Sequence, residues 1–138
     1  MVDGALYNYG KTNISFSPSF IGSNSINYKY SENLNFTFLS KYVGKQYMSN
    51  TDQPNSILDS YFVNDLSISY LLQPNKIFES ISINLLINNL LSKEYISNGY
   101  YYTYDDTWSI PGQITTLDGA GYYPQATRNF LAGFIFKF

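Results

Sequence analysis

The stretch Arg128-Asn129-Phe130-Leu131-Ala132-Gly133-Phe134-Ile135-Phe136-Lys137-Phe138 ends the chain and decides how the rest is read. Phe130, Ala132, Phe134, Phe136 and Phe138 recur at every second position, against Leu131, Gly133, Ile135 and Lys137. Side chains alternate between the two faces of a strand, so a period of two marks a strand with one apolar face, whereas a helix would repeat every three to four residues.

Working back, the same period recurs in four earlier runs bounded by Asn, Gly, Pro or Ser. About Ile77 to Asn89, Ile81, Ile83, Leu85 and Ile87 stand against Ser82, Asn84, Leu86 and Asn88. About Tyr61 to Leu72, Phe62, Leu66, Ile68, Tyr70 and Leu72 oppose Val63, Asp65, Ser67 and Ser69. About Leu34 to Val43, Leu34, Phe36, Phe38 and Tyr42 oppose Asn35, Thr37, Leu39 and Lys41. About Phe20 to Tyr30, Phe20, Gly22, Ile26, Tyr28 and Tyr30 share one side, with Asn24 the polar exception. The spacing predicts an all-β chain of five antiparallel strands in up-and-down meander order. The connections alternate: Ser31-Glu32-Asn33 and Gln73-Pro74-Asn75-Lys76 are tight turns, whereas Gly44–Ser60 and Leu90–Thr127 are long. In an up-and-down sheet every second connection lies at the same rim, so short turns gather at one rim and long loops at the other, as in outer-membrane barrels.

Composition narrows the chemistry. In 138 residues the charged fraction is 13% and the aromatic fraction 19%, from fifteen Tyr, ten Phe and one Trp, against ~25% charged in an ordinary soluble domain. A net charge of −2 with Arg128 the sole arginine leaves nothing to bind a phosphate backbone, so no nucleic-acid partner is expected. Cys and His are both absent, which removes disulfides, Cys/His zinc sites and the imidazole base of a nucleophilic triad. No cofactor and no enzymatic chemistry are expected. The start, Met1-Val2-Asp3-Gly4, lacks the basic and apolar regions of a secretory signal, and no segment reaches the ~18 apolar residues of a membrane helix.

Amphipathic strands fit two settings. In a soluble sandwich the apolar face meets a second layer; in a membrane barrel it meets lipid, and the polar face lines a wet lumen. Lys29, Lys41, Asp65 and Lys137 all fall on the polar side. Tyr28, Tyr30 and Tyr70 near the short-turn rim, with Tyr42 and Phe62 near the long-loop rim, have the placement of interface girdles. Strands of about ten residues match the ~9–11 needed to cross a bilayer at a tilt. Five strands cannot close, and open edges in hydrocarbon cost several kcal/mol per unpaired group. A membrane reading therefore requires further strands from elsewhere. The alternative is a secreted or surface β-sandwich that binds carbohydrate through loop aromatics.

Specific stretches carry a resemblance. From about Ile14 to Phe138, through Ser17-Pro18-Ser19-Phe20-Ile21-Gly22-Ser23-Asn24, Lys41-Tyr42-Val43-Gly44-Lys45-Gln46-Tyr47, Tyr61-Phe62-Val63-Asn64-Asp65-Leu66, Asn88-Asn89-Leu90-Leu91-Ser92-Lys93-Glu94-Tyr95, Ser97-Asn98-Gly99-Tyr100 and Tyr123-Pro124-Gln125-Ala126-Thr127-Arg128-Asn129-Phe130, the chain resembles the C-terminal barrel segment of Bacteroidetes-type TonB-dependent outer-membrane receptors. The family more often has Gly at the position of Thr127. The resemblance implies that residues 1–138 are a single segment, the C-terminal arc of a 22-stranded transmembrane barrel whose N-terminal strands and plug domain are not in this sequence. It implies a receptor for uptake of a siderophore, cobalamin or glycan, located in the outer membrane and performing no chemistry on its ligand. The implied partners are outer-membrane lipid, the missing barrel and plug, the TonB complex acting through that plug, and the barrel-assembly machinery. That machinery would read Phe130, Ala132, Phe134, Phe136 and Phe138 as a C-terminal signal. Residues 1–13 would be the remainder of an extracellular loop, Met1 an internal or truncated start, and the fragment alone not transport-competent.

Within the longest connection, Tyr100, Tyr101, Tyr102 and Tyr104 with Trp108 are the candidate ligand-contacting aromatics, since clustered exposed rings stack on sugar or chelator rings; the alternative is that they pack within an ordered loop or hairpin. Asp105, Asp106 and Asp118, with Gly119 and Gly121, lack the spacing of an EF-hand calcium loop.

Overall fold

A computed structural model describes residues 8–73 and 77–138. Their strands are β1 (Ile21–Lys29), β2 (Leu34–Val43), β3 (Gln46–Tyr47), β4 (Ile57–Leu58), β5 (Tyr61–Leu72), β6 (Ser80–Asn88), β7 (Ile96–Asp106), β8 (Thr115–Pro124) and β9 (Asn129–Lys137). Among the described residues there is no α-helix, and no helix long and apolar enough to cross a membrane. The residues form two compact units, one from segments 1–20, 44–60 and 95–125, the other from 21–43, 61–94 and 126–138.

The second unit is a five-stranded antiparallel sheet in the order β1-β2-β5-β6-β9, the meander that the alternation predicts. Its register turns the sequence pattern into rows. One row runs Ile26, Phe38, Leu66, Ile87, Phe130; the next Tyr28, Phe36, Ile68, Leu85, Ala132; then Leu34, Tyr70, Ile83, Phe134; then Leu72, Ile81, Phe136. Residues directly opposed across strands share a face, so one side carries an unbroken apolar field. Rows two residues apart at ~3.4 Å per residue extend it roughly 20–27 Å along the strands.

The other face is mixed, with polar side chains predominating. One row runs Asn27, Thr37, Ser67, Leu86, Leu131 and the next Lys29, Asn35, Ser69, Asn84, Gly133, and Leu39, Val63, Leu71 and Ile135 also stand on this side. Cross-strand pairs bond there: Asn27 Nδ2 donates to Thr37 Oγ1 at 3.1 Å, and Asn88 Nδ2 to Asn129 Oδ1 at 2.9 Å. Lys29, Lys41, Asp65 and Lys137 all stand on this side of the register.

The apolar field is not covered. Ile26 is 60% exposed, Phe130 65% and Phe134 59%; β9 is exposed at every position, and β6 half-buried at every position. Both outer strands, β1 and β9, end the sheet without a further partner among the described residues.

At the long-loop end the field stops at a polar row, Asn24, Ser40, Asn64. Ser40 and Asn64 are buried, and Ser40 Oγ donates to Asn64 Oδ1 at 2.7 Å, as burial of polar groups demands. Tyr42 and Phe62 face each other in the row beyond it, and Tyr28 and Tyr70 lie toward the short-turn end. Rings are not confined to the two ends, however, because Phe36, Phe38 and Phe134 stand within the middle rows.

The run expected from Ile77 forms a strand only from Ser80. Phe78 instead packs against Phe136 and Phe138, with centroids 5.4 and 5.0 Å apart. Phe20 and Tyr30 likewise fall just outside β1. Of the turn Gln73-Pro74-Asn75-Lys76, all but Gln73 lies outside the described residues, as does Tyr7.

Asn89 fixes the corner after β6. Its φ of 50° lies in the left-handed region, which Asn tolerates. Its side chain donates to the carbonyls of Lys93 (2.8 Å) and Ala126 (3.1 Å) and accepts from Lys93 N–H (2.9 Å). Arg128 Nε donates to the Leu90 carbonyl at 2.8 Å. These bonds join the two ends of the 90–127 excursion, which gives a structural reason for Asn88-Asn89-Leu90 and Ala126-Thr127-Arg128.

Candidate binding site

The candidate aromatics belong to the other unit; Tyr100, Tyr101, Tyr102 and Tyr104 lie in a strand and Trp108 just beyond its end. β7 and β8 pair as an antiparallel hairpin, with a bulge between Ile96 and Asn98. The long connection is thus two strands joined by a tip, the hairpin that the sequence left open as an alternative. Register opposes Tyr100 to Gly121, Tyr102 to Gly119 and Tyr104 to Leu117.

The glycines explain the rings. A Cβ on Gly119 would come within 2.6 Å of Tyr102 Cζ, and one on Gly121 would collide with the Tyr100 ring. Each tyrosine therefore lies over the bare backbone of the neighbouring strand, an arrangement that any side chain at 119 or 121 would displace. Centroid spacings are 6.2 Å from Tyr100 to Tyr102, 6.4 Å to Tyr104 and 6.2 Å on to Trp108, with interplanar angles of 19°, 21° and 9°. Tyr123 abuts the far end, 6.0 Å from Tyr100. The result is an exposed ladder of four near-parallel rings along β7. Tyr101 is not part of it, since the alternation turns it to the opposite face.

That opposite face is polar and tied to residues 48–58 of the same unit. Tyr122 Oη donates to the Asn55 carbonyl at 3.1 Å, Asn55 Nδ2 to Asp118 Oδ2 at 2.9 Å, and Thr116 Oγ1 to Asp105 Oδ1 at 2.7 Å. Gly99 lets the hairpin approach Met48, whose Sδ would stand 2.6 Å from a Cβ there. Gln46, Met48, Ser56 and Leu58 are buried in this layer; the turn Pro54–Ser56 is closed by Ser56 N–H on the Gln53 carbonyl at 2.9 Å and tied back by Met48 N–H on the Ser56 carbonyl at 2.6 Å. Asn13 bonds Asp52 and Ser15 N–H bonds Asn50 Oδ1 (2.6 Å), which anchors the described N-terminal residues to the same layer.

An open groove of about 880 Å³ lies in this unit. Tyr101, Thr103 and Asp105 of β7 and Thr116 and Asp118 of β8 contribute to it. Ser49, Thr51, Gln53 and Asn55 supply polar groups from the 44–60 segment, with Tyr9, Tyr102 and Tyr104 also lining it. Burial raises the Tyr101 phenol above its ordinary value; the charge of Asp118 and the hydrogen bond the phenol gives it add to the shift.

The acidic residues are engaged separately rather than gathered as a metal site. Asp106 accepts from the N–H groups of Trp108 (3.0 Å) and Ser109 (3.1 Å). The hydroxyl of Ser109, then the N–H of Trp108, hold its carboxyl below the usual range. Among the described residues no three potential ligands cluster.

Of the candidates Tyr100, Tyr101, Tyr102, Tyr104 and Trp108, the structure brings Tyr100, Tyr102, Tyr104 and Trp108 together and sets Tyr101 on the opposite face. Sequence reasoning weighs Gly119 and Gly121 only as part of a calcium loop and not as the seats of the rings, and it does not single out Tyr123 or the groove residues 49–55 for the site. The available signal was the facing alternation: small residues at 119 and 121 against rings at 100 and 102. The terminal Phe130, Ala132, Phe134, Phe136 and Phe138 lie elsewhere, in and just after β9. No family model, curated protein or solved structure matches this chain.

Proposed function

We propose that this chain is part of the wall of a TonB-dependent outer-membrane receptor, its five-stranded sheet forming the C-terminal arc of a 22-stranded barrel. The uncovered apolar field carries the reading. A half-buried sheet in water needs a second layer over its apolar side, yet here none of the side chains in the rows is buried: those on β1 and β9 are exposed and those on β2, β5 and β6 are half-buried, apart from Tyr70, which is exposed. Lipid is the cover that suits a field of this height, on the scale of the ~25 Å apolar band of a transmembrane barrel. The opposite face has the hydrogen-bonded polar side chains that a wet lumen tolerates.

The two unpartnered outer strands support the same conclusion, because a barrel removes edges by continuing around. Here the sequence would supply β1 and β9 as joints to strands outside it. In this reading β9, with Phe138 behind it, is the strand the assembly machinery engages, and the hairpin β7–β8 is an extracellular element that meets the imported ligand. Coupling to the TonB complex belongs to the plug. Lipid, the remaining barrel and these two machineries are the partners.

The sandwich alternative separates by solubility. The chain purified without detergent is expected to aggregate through its apolar face and edges, and to become monodisperse in detergent micelles. A monomer in plain buffer that binds no detergent contradicts the wall. Reading the coding frame upstream of Met1 gives an independent check: further alternating strands and a plug are expected.

A further inference from the structure

We propose that the groove beside the hairpin binds a neutral, hydroxyl-rich chain, that is, an oligosaccharide without charged substituents. The proposal deepens the receptor reading, on which it rests only for the fate of the bound ligand; binding itself needs the hairpin unit alone.

Size comes first. The groove's volume, about 880 Å³, falls within the ~300–1,000 Å³ of sites that enclose small ligands. Charge comes next. Asp105 and Asp118 line it, and among the described lining residues none is basic. A chelate or sugar carrying carboxylates, sulfates or catecholate oxygens would meet only like charge there, with no cation to offset its desolvation. A bare metal ion is no better served, since each carboxylate already accepts from protein donors: Asp118 from Asn55 and Tyr101, Asp105 from Thr116.

The remaining groups match a sugar. A carboxylate has about four acceptor positions, so both aspartates keep capacity for the hydroxyls of a ligand. The amides of Gln53 and Asn55 and the hydroxyls of Thr51 and Thr103 both donate and accept, as ring and exocyclic sugar oxygens require. Tyr101 and Asn55 hold Asp118 in place before the ligand arrives, which lowers the ordering cost of binding. Tyr101 stands on the groove's own face of the hairpin and supplies aromatic area on which the C–H face of a pyranose packs, whereas the ring ladder of Tyr102 and Tyr104 lies on the opposite face. An apolar ligand would strand these polar groups, and an anionic one would be repelled; an uncharged polyol leaves neither fault.

The test uses the full chain in a detergent without a sugar headgroup, which would otherwise compete. Calorimetric titration is run with neutral linear glucan, mannan and xylan hexasaccharides, with a hexasaccharide of uronic acids, and with a ferric tricatecholate. The expected result is saturable binding of at least one neutral hexasaccharide, with the uronic-acid and catecholate probes at least tenfold weaker. Asp118→Asn and Tyr101→Phe should each weaken that binding about tenfold, while Lys137→Arg leaves it unchanged. Near-ultraviolet circular dichroism confirms that the variants keep their fold. Failure of all neutral probes, an anionic probe binding as tightly, or folded groove variants that bind like the parent would each overturn the proposal. Such a failure leaves lipid exposure of the sheet untouched, and loss of lipid exposure with glycan binding intact would remove the receptor reading alone.

Discussion

At the scale of single residues, the two faces of β9 make opposite demands within a few ångströms. Phe134 stands in a row with Leu34, Tyr70 and Ile83, well inside the apolar field. On the proposed membrane reading, Phe134→Arg in the protein reconstituted in lipid vesicles should therefore cost about 2–4 kcal/mol, read as a lowered urea midpoint. Lys137 lies on the polar face, where Nζ sits 2.7 Å from Glu79 Oε1 in an exposed pair. Lys137→Arg should shift the same midpoint very little, as exposed ion pairs contribute ~0–1 kcal/mol; equal costs at both positions would refute the face assignment. Asp106 supplies a pH-dependent prediction. Its carboxyl is held below the ordinary value, so it binds fewer protons folded than unfolded, and its support for the hairpin tip is present above the ordinary value and lost as pH falls through the lowered one. Emission from Trp108, the sole tryptophan, should stay constant from neutrality to about pH 4 and change below it. Asp106→Asn, which keeps the capping oxygen but cannot titrate, should abolish that change.

At the scale of elements, the strands differ in how plainly the chain announces them. The second and third runs, Leu34–Val43 and Tyr61–Leu72, are legible to the residue, because apolar and polar side chains alternate through most of each run despite Leu39, Val63 and Leu71 on the polar side and Ser40 and Asn64 on the apolar one. The fourth is read three residues too long at its start, since Ile77 and Phe78 continue the hydrophobic count while Phe78 is drawn onto Phe136 and Phe138. The hairpin is concealed for two physical reasons. Tyr100-Tyr101-Tyr102 puts rings on both faces, which hides the period of two, and Asp118-Gly119-Ala120-Gly121 has the low strand propensity of glycine and aspartate. Pairing supplies what propensity lacks, because the rings of Tyr100 and Tyr102 cover the glycines opposite. Gly119→Val should thus lift Tyr102 and cost about 0.2–1 kcal/mol, the worth of a cross-strand pair. Near-ultraviolet dichroism should change while the far-ultraviolet spectrum stays; an unchanged near-ultraviolet spectrum would show that the ladder does not depend on the bare backbone. The groove was least legible, as its polar residues come from segments far apart in the chain and follow no local period.

At the scale of the whole molecule, the account turns on what covers an apolar sheet face whose side chains are more than half exposed at Ile26, Phe130 and Phe134. On the proposed reading, meander order, sorted turns, cross-strand polar bonds and the two outer strands unpartnered among the described residues share one cause, strands that cross a bilayer and continue into a closed wall. The chain has no cysteine, so single cysteines introduced along β9 report accessibility without background. The decisive measurement is spin-label accessibility at Phe130, Ala132, Phe134 and Phe136 and at Leu131, Gly133 and Ile135, with the chain reconstituted in lipid bilayers and read against oxygen and a polar nickel chelate. The account predicts alternation: the first set accessible to lipid-soluble oxygen, the second to the chelate. Uniform accessibility to the chelate, or protection of the first set from both reagents, would contradict it.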